Sequence, residues 1–257
     1  MKLDDAQLPA ELVRGKVVVI TGAGAGIGAA LARCFAADGA HVAGCDLPHA
    51  LSAAKDNCHL AASCDVTKPD ELATFVEAVM AKFGRIDGLV ANAGIAVDGR
   101  FDAIAWEDIE KVFRVNIFGV LHAIRAVAPI MRAQKYGRIA VAASRNAQTC
   151  KIGRIGYNAS KAAVVSAVGT IARELEGSGV LINSYIPGLT ITAMRPLPDG
   201  QPPEACYPTV RRLVSLSADG PNGRTFFRED EIHILQPLSD ALRREIDETA
   251  RGTPTPS

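Results

Sequence analysis

A tyrosine and a lysine four positions apart are the residues of this chain best suited to moving a proton. In Tyr157-Asn158-Ala159-Ser160-Lys161, the i and i+4 spacing places both side chains on one face of a helix. A neutral phenol is a poor base near neutral pH, and an ammonium nearby lowers its pKa toward the useful range. Ser144, thirteen positions upstream, supplies a hydroxyl. These residues predict proton transfer at an alcohol oxygen, although Tyr-x-x-x-Lys alone also describes ordinary helix surface.

A glycine-rich turn near the N-terminus predicts a nucleotide site. The β-branched run at 16–20 leads into Thr21-Gly22-Ala23-Gly24-Ala25-Gly26-Ile27-Gly28, and an apolar helical pattern follows at 29–35. Strand, glycine turn and helix form the context of a dinucleotide fingerprint. Glycine allows the positive φ of a tight turn, and without a Cβ it lets backbone N–H groups approach a pyrophosphate. A purely structural strand-to-helix turn is the alternative.

The carboxylate of Asp46 predicts which nicotinamide cofactor is bound. Asp46 ends a second predicted strand at 40–46, about twenty residues after the glycines, where a carboxylate accepts hydrogen bonds from an adenosine ribose. It would repel a 2′-phosphate, and the following Leu47-Pro48-His49 offers no arginine to bind one. NAD is therefore predicted over NADP. A solvated loop aspartate is the alternative interpretation.

The elements that must position these residues alternate between strands and helices. Further strands are predicted at 58–64, 86–91, 137–143 and 180–186, and helices at 69–83, with Thr67 as its cap, 106–134 and 157–176. This alternation predicts an α/β Rossmann fold, a doubly wound parallel sheet in a single domain over 1–257. Ligands of such sheets bind where the strands end, so the candidate residues should meet at one rim. Residues 190–215 are predicted to form a substrate lid and 251–257 a disordered tail.

The order and spacing of the motifs resemble those of single-domain short-chain dehydrogenases/reductases. The resemblance runs from about residue 13 to 195, and its elements are Thr21-Gly22-x-x-x-Gly26-Ile27-Gly28, Cys64-Asp65-Val66, Asn92-Ala93-Gly94, Asn116, Ser144, Tyr157-x-x-x-Lys161 and Pro187-Gly188-x-Thr190-x-Thr192. It implies an NAD-dependent oxidoreductase that interconverts a secondary alcohol and a ketone.

The resemblance also implies catalytic roles. Tyr157 would be the acid/base, and Ser144 would orient the reacting oxygen. Lys161 would lower the Tyr157 pKa and hold the nicotinamide ribose, and Asn116 would hold a water that connects Lys161 to solvent. Asn116 as ordinary helix surface is the alternative.

A cofactor site is implied in the same way. Its residues would be Gly22, Gly26, Ile27, Gly28, Asp46, Asp65, Val66, Asn92, Gly94, Tyr157, Lys161, Pro187, Gly188, Thr190 and Thr192. In the family, the residues matching Asp65 and Val66 flank the adenine, Asn92-Ala93-Gly94 lines the adenosine ribose, and the turn from Pro187 holds the carboxamide. Asp65 could instead cap a helix, and the other two segments could be structural turns.

Two segments depart from the family pattern. Between Ser144 and Tyr157 the family usually carries small and apolar residues, whereas this chain has Arg145, Lys151 and Arg154. These cations could recognise a carboxylate or phosphate on the substrate, or they could lie on the solvent rim or a subunit contact. The region 219–227 departs from the C-terminal strand that many relatives use in a tetramer interface.

The helices predicted at 106–134 and 157–176 carry more apolar positions than one core-facing stripe needs. Family members pair these two helices with their copies in a second subunit. A homodimer or homotetramer through this surface is therefore expected.

Composition excludes several classes of partner. Lys plus Arg and Asp plus Glu are both 28, so no net charge favours nucleic acid or an anionic membrane. The apolar stretches are interrupted before the length of a membrane span, and residues 1–7 are polar rather than a secretory signal. The six cysteines lack Cys-x-x-Cys or zinc spacing, which predicts no metal and a cytoplasmic protein with reduced thiols.

Two other functions compete with the dehydrogenase prediction. One is a catalytically silent cofactor-binding subunit or sensor, which the intact Ser144, Tyr157, Lys161 and Asn116 disfavour. The other is a dehydratase or epimerase of a related extended fold, which the glycine spacing and the chain length disfavour.

Overall fold

One sheet runs through the computed structural model, which describes residues 12–191 and 200–235. Its strands are β1 (Val17–Thr21), β2 (His41–Asp46), β3 (Leu60–Ser63), β4 (Gly88–Ala91), β5 (Gly137–Ala142), β6 (Val180–Tyr185), β7 (Thr225–Phe227) and β8 (Asp230–Glu231). They lie in the order β3-β2-β1-β4-β5-β6-β7-β8. All neighbours are parallel except β7 and β8. The chain order reverses between β1 and β4, which creates the crevice where such sheets bind ligands.

Helices cover both faces of this sheet. They are α1 (Gly26–Ala37), α2 (Leu51–Asn57), α3 (Pro69–Phe83), α4 (Trp106–Phe113), α5 (Val120–Gln134), α6 (Asn146–Thr149), α7 (Ile155–Glu174) and α8 (Tyr207–Leu213). Short 3₁₀ turns, Pro48–Ala50 and Pro203–Cys206, precede α2 and α8, and a π-helical segment, Arg114–Gly119, joins α4 to α5.

Alternation along β1 explains the two layers. Val17 and Val19 pack into a core with α3, α5 and α7, whereas Val18 and Ile20 pack into a second core with α1, α2 and α8. Every residue of β1 is buried because both faces are covered. The prediction of a doubly wound parallel sheet in one domain is confirmed.

Several details differ from the sequence-based expectation. The predicted helix at 106–134 contains a π-helical segment, and β7, β8, α2, α6 and α8 were not predicted. Thr67 does not cap α3: the N-cap is Lys68, without a side-chain hydrogen bond, and the Thr67 N–H instead donates to Asp65 Oδ1 at 2.9 Å. A short Asx turn therefore precedes α3 in place of the expected cap.

The predicted lid at 190–215 contains two kinds of structure. The backbones of Leu189 and Ile191 pair with Gln201, so the base of the segment is closed. Further along, α8 buries Val210 and Leu213 in the core beneath the sheet. Residues 192–199, which include Thr192, and the tail at 251–257 lie outside the described residues.

One helical run in the described part of the chain is long and apolar enough to cross a membrane by length and composition, which differs from the expected interruption. This run is Trp106–Gln134, of 29 residues. A core helix of a soluble protein passes the same test. Here α5 buries Ala123, Val127 and Met131 against the sheet and α3, so the apolar composition has an explanation in the core.

Candidate active site

A cavity of about 300 Å³ lies at the carboxyl ends of β1, β2, β4 and β5. It brings together residues that the sequence places up to 165 positions apart. Those of the predicted site that line it are Gly22, Gly26, Ile27, Asp46, Asp65, Val66, Asn92, Gly94, Tyr157, Lys161 and Pro187. The switch point of the sheet order therefore coincides with the predicted cofactor residues.

The glycine turn leaves room where side chains would collide. Gly22 adopts a φ of +70°, which side chains disfavour. Gly28 lies in the first turn of α1, and a Cβ there would stand 1.8 Å from the Gly22 carbonyl oxygen. Backbone N–H groups at the start of α1 thus border the open cavity, an arrangement suited to a pyrophosphate.

Asp46 is joined to the backbone of this turn. Its Oδ2 accepts the Gly24 N–H at 2.8 Å, and its Oδ1 accepts the Leu47 N–H at 2.7 Å. A carboxylate has about four acceptor positions, so each oxygen retains one for a ligand hydroxyl. The position of Asp46 in the sequence predicts a contact with a ligand but does not indicate this attachment to the glycine turn.

A second set of hydrogen bonds ties the end of β4 to the same turn. Thr21 Oγ1 accepts the N–H groups of Asn92 and Ala93, both at 3.1 Å. Asn92 Nδ2 donates to the Thr21 carbonyl at 3.3 Å, and the Tyr185 hydroxyl donates to Asn92 Oδ1 at 3.3 Å. Burial raises the pKa of Tyr185 well above its usual value, so this phenol stays a donor. The side chain of Asn92 therefore braces the sheet as well as lining the cavity.

Lys161 is buried beneath the tyrosine. Its side chain is 3% exposed and donates from Nζ to the Ala142 carbonyl at 2.7 Å. The Nζ atom lies 5.8 Å from the ring centroid of Tyr157. Burial lowers the pKa of Lys161 to about 8, which leaves the ammonium mostly protonated near neutral pH.

Asn116 lies in the π-helical segment and is fully buried. Its Oδ1 accepts the Ile95 N–H at 2.9 Å, and its Nδ2 donates to the Ile95 carbonyl and to Ser160 Oγ, both at 3.0 Å. Ser160 in turn donates to the Tyr157 carbonyl at 2.8 Å. The amide therefore joins α7 to the loop after β4. Single π turns inside helices are frequent at functional sites, and nothing in the residue spacing indicated this one.

A second cavity, of about 320 Å³, adjoins the first. The predicted residues that line it are Ile27, Ser144, Tyr157, Pro187, Gly188 and Thr190. Ser144 Oγ accepts the Asn146 N–H at 3.1 Å, so the hydroxyl proton remains available for donation. Tyr157 is the ionisable residue that borders both cavities.

The three cations after Ser144 lie in different surroundings. Arg145 lines the second cavity, and its Cζ lies 4.8 Å from the ring centroid of Phe227. Arg154 lines the same cavity and forms an ion pair with Asp98, with Nε 2.8 Å from Oδ1 and Nη2 2.9 Å from Oδ2. Lys151 lines a separate surface cavity beside Phe101. The sequence could not distinguish these positions.

Three of the predicted residues are not among those that line either cavity. Gly28 packs against Gly22, and Asn116 accepts the N–H of Ile95, which lines the first cavity. Thr192 is outside the described residues. Asp65 lines the cavity and donates its N–H to Glu71 Oε2 at 2.8 Å. Among residues 12–191 and 200–235, no cluster of three or more His, Cys, Asp or Glu side chains could hold a metal ion.

A crevice at the switch point of a doubly wound sheet, bordered by a glycine turn, is where folds of this kind bind a dinucleotide. The family model for the short chain dehydrogenase matches residues 16–199, and the chain belongs to this family. The family prediction is thereby confirmed. Its members are oxidoreductases that bind a nicotinamide cofactor.

Known proteins resemble the chain in sequence and in structure. It is 37% identical over 189 residues to the 3-oxoacyl-[acyl-carrier-protein] reductase FabG of Thermotoga maritima, covering 71% of this chain and 77% of that protein. Identity to the 2,3-dihydro-2,3-dihydroxybenzoate dehydrogenase of Escherichia coli is 37% over 182 residues, covering 70% and 72%. The crystal structure of the 3-ketoacyl-(acyl-carrier-protein) reductase from Brucella melitensis complexed with NADH matches with a TM-score of 0.77 at 27% identity, covering 84% and 97%.

Proposed function

We propose that this protein is an NAD-dependent oxidoreductase that interconverts a secondary alcohol and a ketone. The position of Tyr157 carries the proposal, because this residue borders both cavities while Lys161 lies 5.8 Å from its ring. A proton acceptor where the two cavities meet can contact a substrate in one cavity while a cofactor occupies the other. When bound, the nicotinamide accepts or donates the hydride.

The side chains would divide the proton chemistry between them. During oxidation Tyr157 removes the hydroxyl proton of the alcohol, and during reduction it returns a proton to the ketone oxygen. Ser144 donates its hydroxyl proton in a hydrogen bond to the same substrate oxygen. That donation is favoured because Ser144 Oγ already accepts the Asn146 N–H. The reacting oxygen is thereby held between two hydroxyl groups.

Lys161 would act on Tyr157 through its charge. Although burial lowers the pKa of Lys161 to about 8, the ammonium keeps its proton near neutral pH and favours the phenolate. Lys161 would also hold the nicotinamide ribose, since it lines the first cavity. Asn116 holds α7 in place through its hydrogen bond to Ser160. By the family resemblance, Asn116 would also bind a water that connects Lys161 to solvent.

The cofactor is proposed to be NAD. The remaining acceptor positions of Asp46 suit the two ribose hydroxyls, and its charge would repel a 2′-phosphate. Gly22, Gly26, Ile27 and Gly28 would receive the pyrophosphate. Asp65, Val66, Asn92 and Gly94 would surround the adenosine, and Pro187, Gly188, Thr190 and Thr192 the carboxamide. The complex of the Brucella melitensis relative with NADH supports a nicotinamide here.

Assembly and location complete the proposal. Trp106 and Phe118 on the α4–α5 run are 63% and 50% exposed, and Ile155 on α7 is 40% exposed. These side chains support a homodimer or homotetramer through α4, α5 and α7, which light scattering at micromolar protein would test. Six free cysteines in the described part of the chain support a cytoplasmic location, testable by cell fractionation. The proposed substrate lid leaves out α8, which packs into the core.

A substrate panel tests the central proposal. Secondary alcohols and ketones are assayed with NAD, NADP and their reduced forms, and turnover is followed by the absorbance of the reduced nicotinamide. We expect oxidation of at least one alcohol, with NAD preferred. Tight NAD binding by calorimetry without turnover of any substrate would favour the alternative of a silent cofactor-binding subunit. Faster turnover with NADP would contradict the cofactor assignment.

A further inference from the structure

The second cavity, beside Ser144 and Tyr157, has a positive charge that the described protein does not neutralise. Arg145 and Arg154 line it, and no acidic side chain does. Arg154 is already paired with Asp98 and only 10% exposed. Arg145 has no ion pair with any residue in 12–191 or 200–235, and its guanidinium instead lies 4.8 Å from the Phe227 ring centroid. Among the described residues, Arg145 is therefore a cation in this cavity without a carboxylate partner.

Next to this cation is a polar group whose hydrogen bond is missing. Asn146 Nδ2 is buried and, among the described residues, has no acceptor. Leaving a buried donor unsatisfied is unfavourable, so such groups usually have a partner in the functional state. Asn146 lines the same cavity as Arg145 and follows it in sequence. The Arg145 guanidinium and the Asn146 amide are both hydrogen-bond donors, and a ligand acceptor in the cavity would satisfy them.

The rest of the cavity limits the kind of acceptor. The Arg145 guanidinium lies over the Phe227 ring, and a guanidinium binds a planar, two-oxygen partner through two parallel hydrogen bonds. Ile186 and Leu189 supply apolar surface for a short carbon chain. The volume of about 320 Å³ is at the small end of ligand cavities. A compact carboxylic acid has this combination of size, shape and charge.

We propose that the substrate is a small hydroxy acid or oxo acid whose carboxylate is bound by Arg145 and the side-chain amide of Asn146. Its hydroxyl or keto oxygen faces Ser144 and Tyr157, which border the same cavity. This inference rests on the proposed oxidoreductase function and adds the class of substrate. Arg154 contributes to the positive potential, but Asp98 already occupies its guanidinium.

The test compares substrates that differ only in the anion. A hydroxy acid, its methyl ester and its primary amide are assayed with the unmodified protein, with Arg145→Met and with Lys151→Met. Loss of a charged hydrogen bond should reduce the acid-to-ester ratio of kcat/KM by about 10- to 100-fold in Arg145→Met. Lys151 lies outside this cavity, so its replacement should change the ratio by less than about threefold. Calorimetry with NAD checks that both variants still bind cofactor.

The outcomes separate this inference from the proposed function. Equal kcat/KM for acid and ester would overturn the carboxylate assignment while leaving the oxidoreductase intact. An equal loss of the ratio in Lys151→Met would also overturn it, because a diffuse charge effect would then explain the preference. A higher kcat/KM for a phosphate monoester than for the carboxylic acid would also overturn the proposal, because the site would then select phosphate.

Failure of every substrate to react would count against the proposed function, and binding would then decide the substrate class. Butanoate and butanamide are titrated into the protein with saturating NAD and followed by calorimetry. Tighter binding of butanoate, lost in Arg145→Met and kept in Lys151→Met, supports the carboxylate site. Equal binding of the two ligands overturns it.

Discussion

The two cavities that meet at Tyr157 are built from different parts of the chain. The first cavity, which is the proposed cofactor side, is formed mostly by backbone at the ends of β1, β2 and β4. Its polar side chains form hydrogen bonds within the protein. On the proposed substrate side, side chains of the segments after β5 and β6 carry the chemistry. Among the described residues, the buried Asn146 Nδ2 has no acceptor there.

This difference separates what is general from what is particular in the enzyme. The glycine turn keeps its shape because its glycines have no Cβ atoms, and it accepts one ligand geometry. Such a turn suits a cofactor that is shared across a family. Side chains on connecting segments can be exchanged without altering the sheet, which suits a substrate that varies between relatives. The comparison predicts that substitutions on the two sides will have separable effects.

The largest effect is expected at Tyr157, the ionisable residue that lines both cavities. Tyr157→Phe should reduce turnover by about 10²- to 10⁴-fold, because it removes the proton that catalysis transfers. Affinity for NAD should stay close to normal, since the glycine turn and Asp46 are unchanged. Steady-state kinetics and calorimetry measure the two quantities. Tyr136→Phe is a matched control, because that phenol contacts Lys16 outside the site. Near-normal turnover of Tyr157→Phe would contradict its acid–base role.

A strong pH dependence is expected from the buried cation on the cofactor side. The pKa of Lys161 is lowered by burial to about 8, so the unfolded chain binds the proton more tightly than the folded one. The resulting destabilisation, roughly 3 kcal/mol, is fully present below pH ~8 and is relieved as pH rises toward the unfolded pKa of about 10.5. Lys161→Met should therefore gain most in unfolding free energy, relative to the unmodified protein, near neutral pH.

Urea unfolding of both proteins at about pH 7 and pH 10 measures this gain. Burial raises the pKa of Cys58 and Cys206 to about 12, which makes stability fall at high pH in both proteins and cancels in the difference. The variant also loses the hydrogen bond to the Ala142 carbonyl, which lowers its gain in unfolding free energy but does not produce this dependence of the gain on pH. A difference that is the same at both pH values would contradict the buried, depressed pKa.

A smaller effect is expected where a side chain on the cofactor side meets the ligand. Asp46→Asn keeps one acceptor oxygen for the backbone but removes the charge. Affinity for NAD should fall by about 10- to 100-fold, the usual loss for a hydrogen bond to a charged group, while discrimination against NADP relaxes. Calorimetry with both cofactors measures this ratio. Tighter binding of NADP than NAD by the unmodified protein would overturn the role of Asp46.

The smallest effects are expected from two glycine substitutions, which test whether backbone packing forms the proposed cofactor side. Gly28→Ala places a Cβ against the Gly22 carbonyl oxygen, so it should destabilise the fold by about 1–3 kcal/mol and weaken NAD binding. Gly169→Ala is the matched control: among the described residues, no atom outside the backbone of its own helix lies within 4 Å of the added Cβ. This variant should stabilise α7 by about 0.5–1 kcal/mol. Thermal unfolding measures both. Equal stability of the two variants would remove the steric argument.

Local patterns in the sequence determined the order of the elements and the most informative site positions. The strand, glycine turn and helix at 16–35 are consecutive in the sequence, so residue spacing alone specifies their geometry. The same holds for Tyr157 and Lys161, which one helical turn joins. The helix predicted at 69–83 ends where the structure ends it, because Gly84 adopts the left-handed conformation at its C-terminus.

Only the tertiary structure decided which distant groups touch. Asn92 meets Tyr185 across 93 positions, and Asn116 meets Ser160 across 44, and no local pattern encodes either contact. The same reason explains why Arg145, Lys151 and Arg154 could not be told apart: their surroundings come from Phe227, Phe101 and Asp98, brought near by the sheet and its loops. Spacing fixes where a side chain starts along the chain, but the packing of remote segments fixes what it can bind.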